Sequence, residues 1–244
     1  MGKYYPDSGV ELSEFTAKNY DKVMNIASFG MYKKFIYRAI SDMDIKQNDK
    51  ILDLGCGTGR NIKLMNNYVS EDSLLVGLDI SEDMEKQFYE NSKGFSNIKF
   101  YNKRIDKPFT LDEKFDKVFV SFVIHGFPHE VRSTIIKNAY DSLKPGGIFN
   151  ILDFAEFKMD KMPFHHRFIF KKIECKYAFD FIKRDWKHIL KNDWGFDGFK
   201  ESFYFKNYVR LLKAEKRRGG DWVTGRQGDE EETIERKNDR TIER

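Results

Sequence analysis

Cysteine is scarce: Cys56 and Cys175 are the only two in 244 residues, and their separation fits no metal-ligand or redox spacing. A disulfide framework and a thiolate metal centre are therefore not expected. No stretch approaches the roughly 18 apolar residues that a membrane-crossing helix needs. The opening MGKYYPDSGVELSEF has no apolar core of a secretory signal, and Pro6 stands where the myristoylation pattern wants Ser or Thr. The plain expectation is a reduced, cytoplasmic protein. Internal repeats are absent, and no Gly-Lys-Ser/Thr follows a glycine cluster, which excludes a P-loop.

A hydrophobic fraction of 40% and an aromatic fraction of 16% are present, enough for a large core and too much for global disorder. The net charge of +4 conceals an asymmetry. Residues 157–218 carry 17 Lys and Arg against 8 Asp and Glu, together with 15 Phe, Trp and Tyr. Residues 219–244 reverse the balance, with 5 cations against 8 acids and few apolar side chains, and read as a separate charged tail. The basic segment suits an anionic substrate, a nucleic acid or an anionic membrane surface, or is a solvated face.

The apolar spacing of Val23, Ile26, Ala27, Met31, Phe35, Ile36 and Ile40 predicts a helix within 20–43. KILDLG, too short and apolar for a helix, reads as a buried strand ending in glycine. RNIKLMNNYV then has helical spacing, LLVGLDI (74–80) is a second strand, and Ser81 is a candidate N-cap for the helix that follows. NIKFYN and FDKVFVSFVI are further strands. EVRSTIIKNAYDSL is a helix stopped by KPGG, and IFNILDF is a fifth strand. FYFKNYVRLLKAEKR adds late strands. Alternation of apolar strands with helices predicts an α/β, doubly wound parallel sheet.

The stretch ILDLGCGTGR places Gly55, Gly57 and Gly59 just past the first strand, where a ligand meets the carboxyl ends of a parallel sheet. Asp79 ends the second strand and can accept both hydroxyls of an adenosine ribose. A dinucleotide fingerprint needs G-x-G-x-x-G, but here the third glycine comes one place early and Arg60 takes the expected position. Asp53 would also repel a pyrophosphate. It suits instead a ligand bearing an ammonium and a sulfonium, which describes S-adenosylmethionine.

LDLGCGTG, GLDIS and LKPGG, in this order, resemble the class I S-adenosylmethionine-dependent methyltransferases over roughly residues 20–154. YDKVMNIASFGMYKKF is similar to the segment opening the ubiquinone/menaquinone C-methyltransferases, through Tyr20, Asp21, Asn25, Ser28 and Gly30. The resemblance implies a Rossmann-like, mostly parallel seven-stranded sheet with helices on both faces. It also implies an amino-terminal helical cap (1–45) and a methyltransferase domain (46–218); within that domain the basic aromatic insert 157–200 departs from the family and is expected on the acceptor side, and the charged tail 219–244 stands apart from it. It assigns Asp53, Gly55, Cys56, Gly57 and Gly59 to the methionine portion, with Cys56 packing in the loop, Asp79 to the ribose and Ile80 to the adenine. Arg104 falls near the position of the acid that usually binds the adenine amino group, a departure that leaves that contact to Asp106, two residues later, or to a backbone carbonyl. S-adenosylhomocysteine would be the product.

In such a fold the loop SFVIHGFPHE faces the transferable methyl. His125, nearer the strand end, is the candidate general base, and a loop histidine that only hydrogen-bonds is the competing reading. Tyr20, His129 and His165 are candidate acceptor contacts. His165 and His166 without a third ligand make no metal site. Cys175 is expected inside a helix. Phe164, Phe168, Phe170, Tyr177, Phe179 and Phe181 form either lobe core or the wall of an apolar acceptor site. The acceptor is expected to be a small molecule, quinone-like or otherwise aromatic. Peripheral contact with an anionic membrane is open through Arg167, Lys171 and Lys172. Nucleic acid is disfavoured, because no RNA-binding signature and no Asn/Asp-Pro-Pro-Tyr/Phe motif occurs. Methylation of RNA or protein, and a non-catalytic S-adenosylmethionine-binding module, are the alternatives.

Overall fold

The computed structural model describes residues 31–219, apart from the side chains of Met31, Tyr32, Ile169 and Ile173. The expected motif at Tyr20–Gly30, most of the cap and nearly all of the tail lie outside the described residues. α1 (Met31–Ser41) comes from the predicted 20–43 helix. It buries Phe35, Ile36, Ala39 and Ile40, a spacing that gathers them on one face.

Seven strands form one sheet in the order β3-β2-β1-β4-β5-β7-β6. β1 (Ile51–Leu54), β2 (Leu75–Asp79), β3 (Ile98–Asn102), β4 (Phe115–Ser121) and β5 (Leu143–Phe154) are parallel. β6 (Phe196–Tyr204) and β7 (Val209–Lys216) close the edge as an antiparallel hairpin. Strand order reverses beside β1, which puts the β1–β4 crevice where an open parallel sheet takes its ligand.

α2 (Arg60–Met65) and α3 (Glu82–Ser92) follow β1 and β2, and Ser81 caps α3 by accepting from Met84 N–H at 3.3 Å. α4 (His129–Ser142) buries Arg132, Ile135, Ile136 and Ala139 along one stripe. α5 (Phe164–Ile173), α6 (Lys176–Phe181) and α7 (Trp186–Asn192) occupy most of the 157–200 stretch, whose last residues, from Phe196, belong to β6. Two apolar clusters flank the sheet. One joins α1 and α2 through Ile36, Ile62, Phe119 and Leu152, and the other joins α4, α6 and α7 through Ile135, Phe149, Phe181 and Trp186.

Four sequence expectations change. The helix after β1 is shorter than its apolar spacing suggested, and passes into a 3-10 turn at Asn66–Tyr68. β5 starts at Leu143, running through KPGG with a register break opposite Phe115/Lys117, so Gly146 at φ 78° bends a strand instead of ending before one. β6 begins at Phe196 because Gly198, at φ 57°, makes a bulge that breaks strict alternation and hides the strand. Cys175 is not within a helix but precedes α6 as its N-cap, half-buried.

Candidate active site

The loop after β1 is built from three left-handed glycines, with φ of 72° at Gly55, 53° at Gly57 and 74° at Gly59. A Cβ at Gly59 would come within 2.5 Å of Phe88, so that glycine serves packing. A Cβ at Gly57 would meet only Met84 Sδ at 3.8 Å, so the backbone there is open to a ligand. Gly77 on β2 admits Cys56, whose Sγ would lie 2.7 Å from an added Cβ. The Cys56 thiol is buried, and burial followed by Asp53 and Asp79 pushes its pKa well above the ordinary value. It is a packing residue and not a nucleophile.

Asp79 binds the loop to the end of β2. Its Oδ2 accepts from Gly57 N–H at 2.9 Å, and its Oδ1 accepts from Ile80 N–H at 2.8 Å and Ser81 N–H at 3.0 Å. Burial still raises its pKa above the usual carboxylate range despite these donors. Asp53 lies in register with Gly77 on β2 and Phe119 on β4. Neither of its buried carboxylate oxygens has a hydrogen-bond partner among the described residues. Burial, with Asp79 adding to it, pushes its pKa up to about 8. Such an orphaned carboxylate is costly unless a cation arrives, and S-adenosylmethionine, the donor implied by the motifs, brings one. Asp106 is held by Arg104, whose Nε donates to Oδ1 at 3.0 Å and whose Nη2 donates to Oδ2 at 2.5 Å.

A second group of residues gathers at the carboxyl ends of β4 and β5. His125 lies in the 3-10 turn Ile124–Gly126, and its Nδ1 is 2.7 Å from Asp153 Oδ1. The carboxylate also accepts from the main-chain N–H of His125 (3.3 Å) and of Phe154 (2.7 Å). Asp153 therefore assigns the proton to Nδ1 and leaves Nε2 as the nitrogen that takes up a second proton. Nε2 faces Glu174 Oε2 at 3.6 Å. Burial works to lower the His125 pKa, but Asp153 and then Glu174 outweigh it, so the imidazole titrates above its ordinary value. Glu174 is itself raised, chiefly by burial, with His125 acting against the rise.

Aromatic rings surround this histidine. Phe154 is 5.0 Å from its ring and Phe181 is 6.4 Å away. Phe154 meets Phe122 at 6.2 Å and Phe170 at 5.1 Å, and Phe122 meets Phe35 of α1 at 6.1 Å. Phe122 adopts φ 53°, unusual for a bulky residue, while its N–H donates to Leu152 O at 2.9 Å. That strained residue stands at the carboxyl end of β4, at the same end of the sheet as the glycine loop.

Arg132 supports the group from below. Fully buried, it donates from Nε to Ile124 O (3.2 Å), from Nη2 to His125 O (3.1 Å) and Tyr177 O (2.7 Å), and from Nη1 to Asp180 (2.7 Å). Its guanidinium also sits 5.2 Å from the Phe181 ring and 5.7 Å from the Trp186 ring. One side chain thus ties the His125 turn to α6. Sequence reasoning missed it, although an arginine on the inner stripe of an apolar helix was the available signal.

The other expected acceptor contacts are dispersed. His129 begins α4 with its ring 6.3 Å from Trp186, and burial, then Arg184 and Arg132, lowers its pKa. His165 is exposed in the first turn of α5, 4.4 Å from His166. Tyr20 lies outside the described residues. The aromatic series divides: Phe170 and Phe181 are core, and Tyr177 and Phe179 are half-buried. Phe164 and Phe168 point outward. Asp153, Glu174 and Phe122 were not anticipated as site residues, since only the tertiary fold brings them to His125.

Comparison with known proteins agrees with the fold and with the family that the motifs resemble. The sequence model of the ubiE/COQ5 methyltransferase family matches residues 10–183. A demethylmenaquinone methyltransferase from Staphylococcus carnosus (strain TM300) is 34% identical over 139 residues, 57% of this chain and 56% of that protein. The chain thus matches little more than half the length of that curated relative. Among solved structures, an O-methyltransferase family protein from Burkholderia thailandensis aligns with a TM-score of 0.61 and 14% identity, over 82% of this chain and 60% of that one. A SAM-dependent methyltransferase from Aquifex aeolicus aligns with a TM-score of 0.57 and 17% identity, over 84% of this chain and 99% of its own. These two likenesses establish the fold.

Proposed function

The chain belongs to the ubiE/COQ5 methyltransferase family, and from that premise we propose that it transfers a methyl group from S-adenosylmethionine to a small, apolar, quinone-like aromatic acceptor. The observation that carries the reading is the orphaned Asp53 carboxylate beside the left-handed glycine loop and Asp79. A buried acid and a half-buried one, both with raised pKa values at the carboxyl ends of adjacent parallel strands, suit a ligand that combines a cation with a pair of hydroxyls. Bound there, the cofactor would supply a methyl made electrophilic by its sulfonium. Asp53 and the loop face the cationic methionine portion, Asp79 the ribose, and Ile80 and Asp106 the adenine.

The acceptor half works by orientation and proton transfer. Phe122 and Phe154, the latter backed by the core residue Phe170, offer aromatic faces to a flat ring, which aligns the acceptor for an in-line displacement. His125 Nε2 takes the acceptor's proton, while Asp153 positions the imidazole and stabilises the imidazolium. Proton transfer is assigned to His125 alone, because His129 faces Trp186 and His165 is exposed. In this reading residues 1–45 cap the pocket, 157–200 form its acceptor side, 219–244 is a separate tail, and the reaction is cytoplasmic. The demethylmenaquinone relative supports a quinone-type acceptor.

Incubation with methyl-deuterated S-adenosylmethionine and demethylmenaquinone-type headgroups should give a product heavier by one labelled methyl, read by mass spectrometry. Labelled product only on other metabolites removes the acceptor assignment. Calorimetry in which neither S-adenosylmethionine nor S-adenosylhomocysteine binds removes the methyltransferase reading itself.

A further inference from the structure

α5 has two unlike faces. Inward, Phe170 packs on Phe154 at 5.1 Å and on Phe157 at 5.6 Å, and Phe154 touches His125. Outward, Phe164 and Phe168 are 74% and 58% exposed, with stacked rings 6.5 Å apart. Single exposed apolar side chains are ordinary, but a stacked phenylalanine pair on one helix is not. Lys171 and Lys172 are exposed at the far end of the same helix, and Lys172 Nζ lies 6.0 Å from the Phe168 ring.

The patch continues beyond α5. His166 packs on Tyr208 at 5.7 Å, at the end of the turn between β6 and β7. That turn holds Phe205, Lys206 and Asn207 in left-handed conformations, with φ of 48°, 55° and 67°; Phe205, one side of which packs on Phe35 at 4.8 Å, is 42% exposed, and Phe203 at the end of β6 is 45% exposed. Across a cleft from it, α1 contributes Lys34 and Arg38. From 157 to 173 there are five Lys and Arg against the single acid Asp160, and from 203 to 210 there are two cations and no acid. The β6–β7 turn meets the sheet where Val209 pairs with Phe154, the carboxyl end of β5 that also carries Asp153. Exposed phenylalanines, flanking cations and the acceptor end of the sheet therefore coincide.

We propose that this face, formed by Phe164, Phe168, Lys171 and Lys172 of α5 with Phe205 and Lys206 of the adjoining turn, docks the protein on an anionic lipid bilayer. Phenylalanine rings enter the boundary between headgroups and acyl chains, while lysines keep their charge at the headgroups and bury their stems. Charge complementarity selects anionic lipid, and salt weakens it. Resting on the proposed apolar acceptor, this deepens that reading: through Phe170, packed behind Phe154, α5 would back the acceptor pocket on one side and contact the bilayer that dissolves the acceptor on the other.

The test uses the full chain and sedimentation with vesicles of phosphatidylglycerol and phosphatidylcholine, against vesicles of phosphatidylcholine alone. The expected result is at least tenfold tighter binding to the anionic vesicles, weakened by about 0.5 M salt, where the Debye length falls to roughly 4 Å. The double variants Phe164→Ser/Phe168→Ser and Lys171→Glu/Lys172→Glu should each lose tenfold or more, with unfolding midpoint and S-adenosylhomocysteine affinity unchanged. The phenylalanine variant should also keep methyl transfer to a water-soluble, short-tailed quinol and lose it to the same headgroup in vesicles. Wild-type protein that ignores both vesicles, variants that bind as wild type, or retention on single-stranded RNA in place of vesicles would overturn the docking proposal. Vesicle binding without transfer to any quinol or phenol would overturn the acceptor reading and leave the docking surface standing.

Discussion

Replacing Asp53 by asparagine should make the ligand-free protein more stable and a worse binder, with a pH dependence that identifies the cause. The folded-state pKa of Asp53 is raised from 3.8 to about 8, mainly by burial and then by Asp79. Below about pH 4 the group is protonated in both folded and unfolded chains and costs nothing through this route. Between pH 4 and 8 the unfolded chain releases a proton that the folded protein retains. Stability then falls by about 1.4 kcal/mol per pH unit from this group, and the loss levels off above its folded pKa. At pH 7 the cost is on the order of 4 kcal/mol. Asparagine has the same shape without the charge, so its advantage over aspartate should grow with pH at that slope. Any penalty for its unpaired amide shifts the whole difference without tilting it.

Urea unfolding of both proteins at pH 5, 6, 7 and 8, without ligand, measures the difference. Calorimetric titration with S-adenosylhomocysteine, whose ammonium would face the ionised carboxylate, should show wild-type affinity rising from pH 6 to pH 8. The variant should bind at least tenfold more weakly and without that rise. A stability difference independent of pH, or an asparagine variant that keeps wild-type affinity and slope, would refute the reasoning.

Asp79→Ala should reduce S-adenosylhomocysteine affinity by about 2 kcal/mol or more, because it loses both a charged acceptor and the bond to Gly57 N–H, read by calorimetry. The rate as a function of pH should rise through a midpoint above 6.5, since His125 must be neutral to act and its pKa is raised; Glu174→Gln should move that midpoint down. Arg132→Met should cost about 3 kcal/mol or more in urea unfolding, as the carbonyls of Ile124, His125 and Tyr177 lose their donor while Asp180 keeps Arg184. Gly59→Ala, blocked by Phe88 and by its φ of 74°, should destabilise clearly more than Gly94→Ala, where only the φ of 91° resists and no atom lies within 4 Å; thermal melts compare them.

The cofactor half of the site was legible because it is local in the chain. Gly55, Gly57 and Gly59 follow β1 directly, and Asp79 ends the next strand, so motif spacing already implies their meeting in space. The parallel sheet was legible for the same reason, since buried strands such as β1 and β4 are short apolar runs bounded by polar residues or glycine. β6 escaped because a glycine bulge disturbs its alternation, and an edge strand with one exposed face carries a weaker apolar signal.

The acceptor half was illegible for a different physical reason. His125, Asp153 and Glu174 come from a loop, a strand end and a helix end, and no periodicity links them. Their meeting depends on Arg132, a charge placed where helical spacing calls for an apolar residue. It is tolerated there because three carbonyls, a carboxylate and two aromatic faces receive it. The two halves thus handle charge in opposite ways. Around Arg132 the protein satisfies its buried cation internally, which fixes the His125 turn. At Asp53 it leaves a buried carboxyl unsatisfied, which holds its proton until pH nears 8 and, in the proposed function, ionises against a ligand's positive charge.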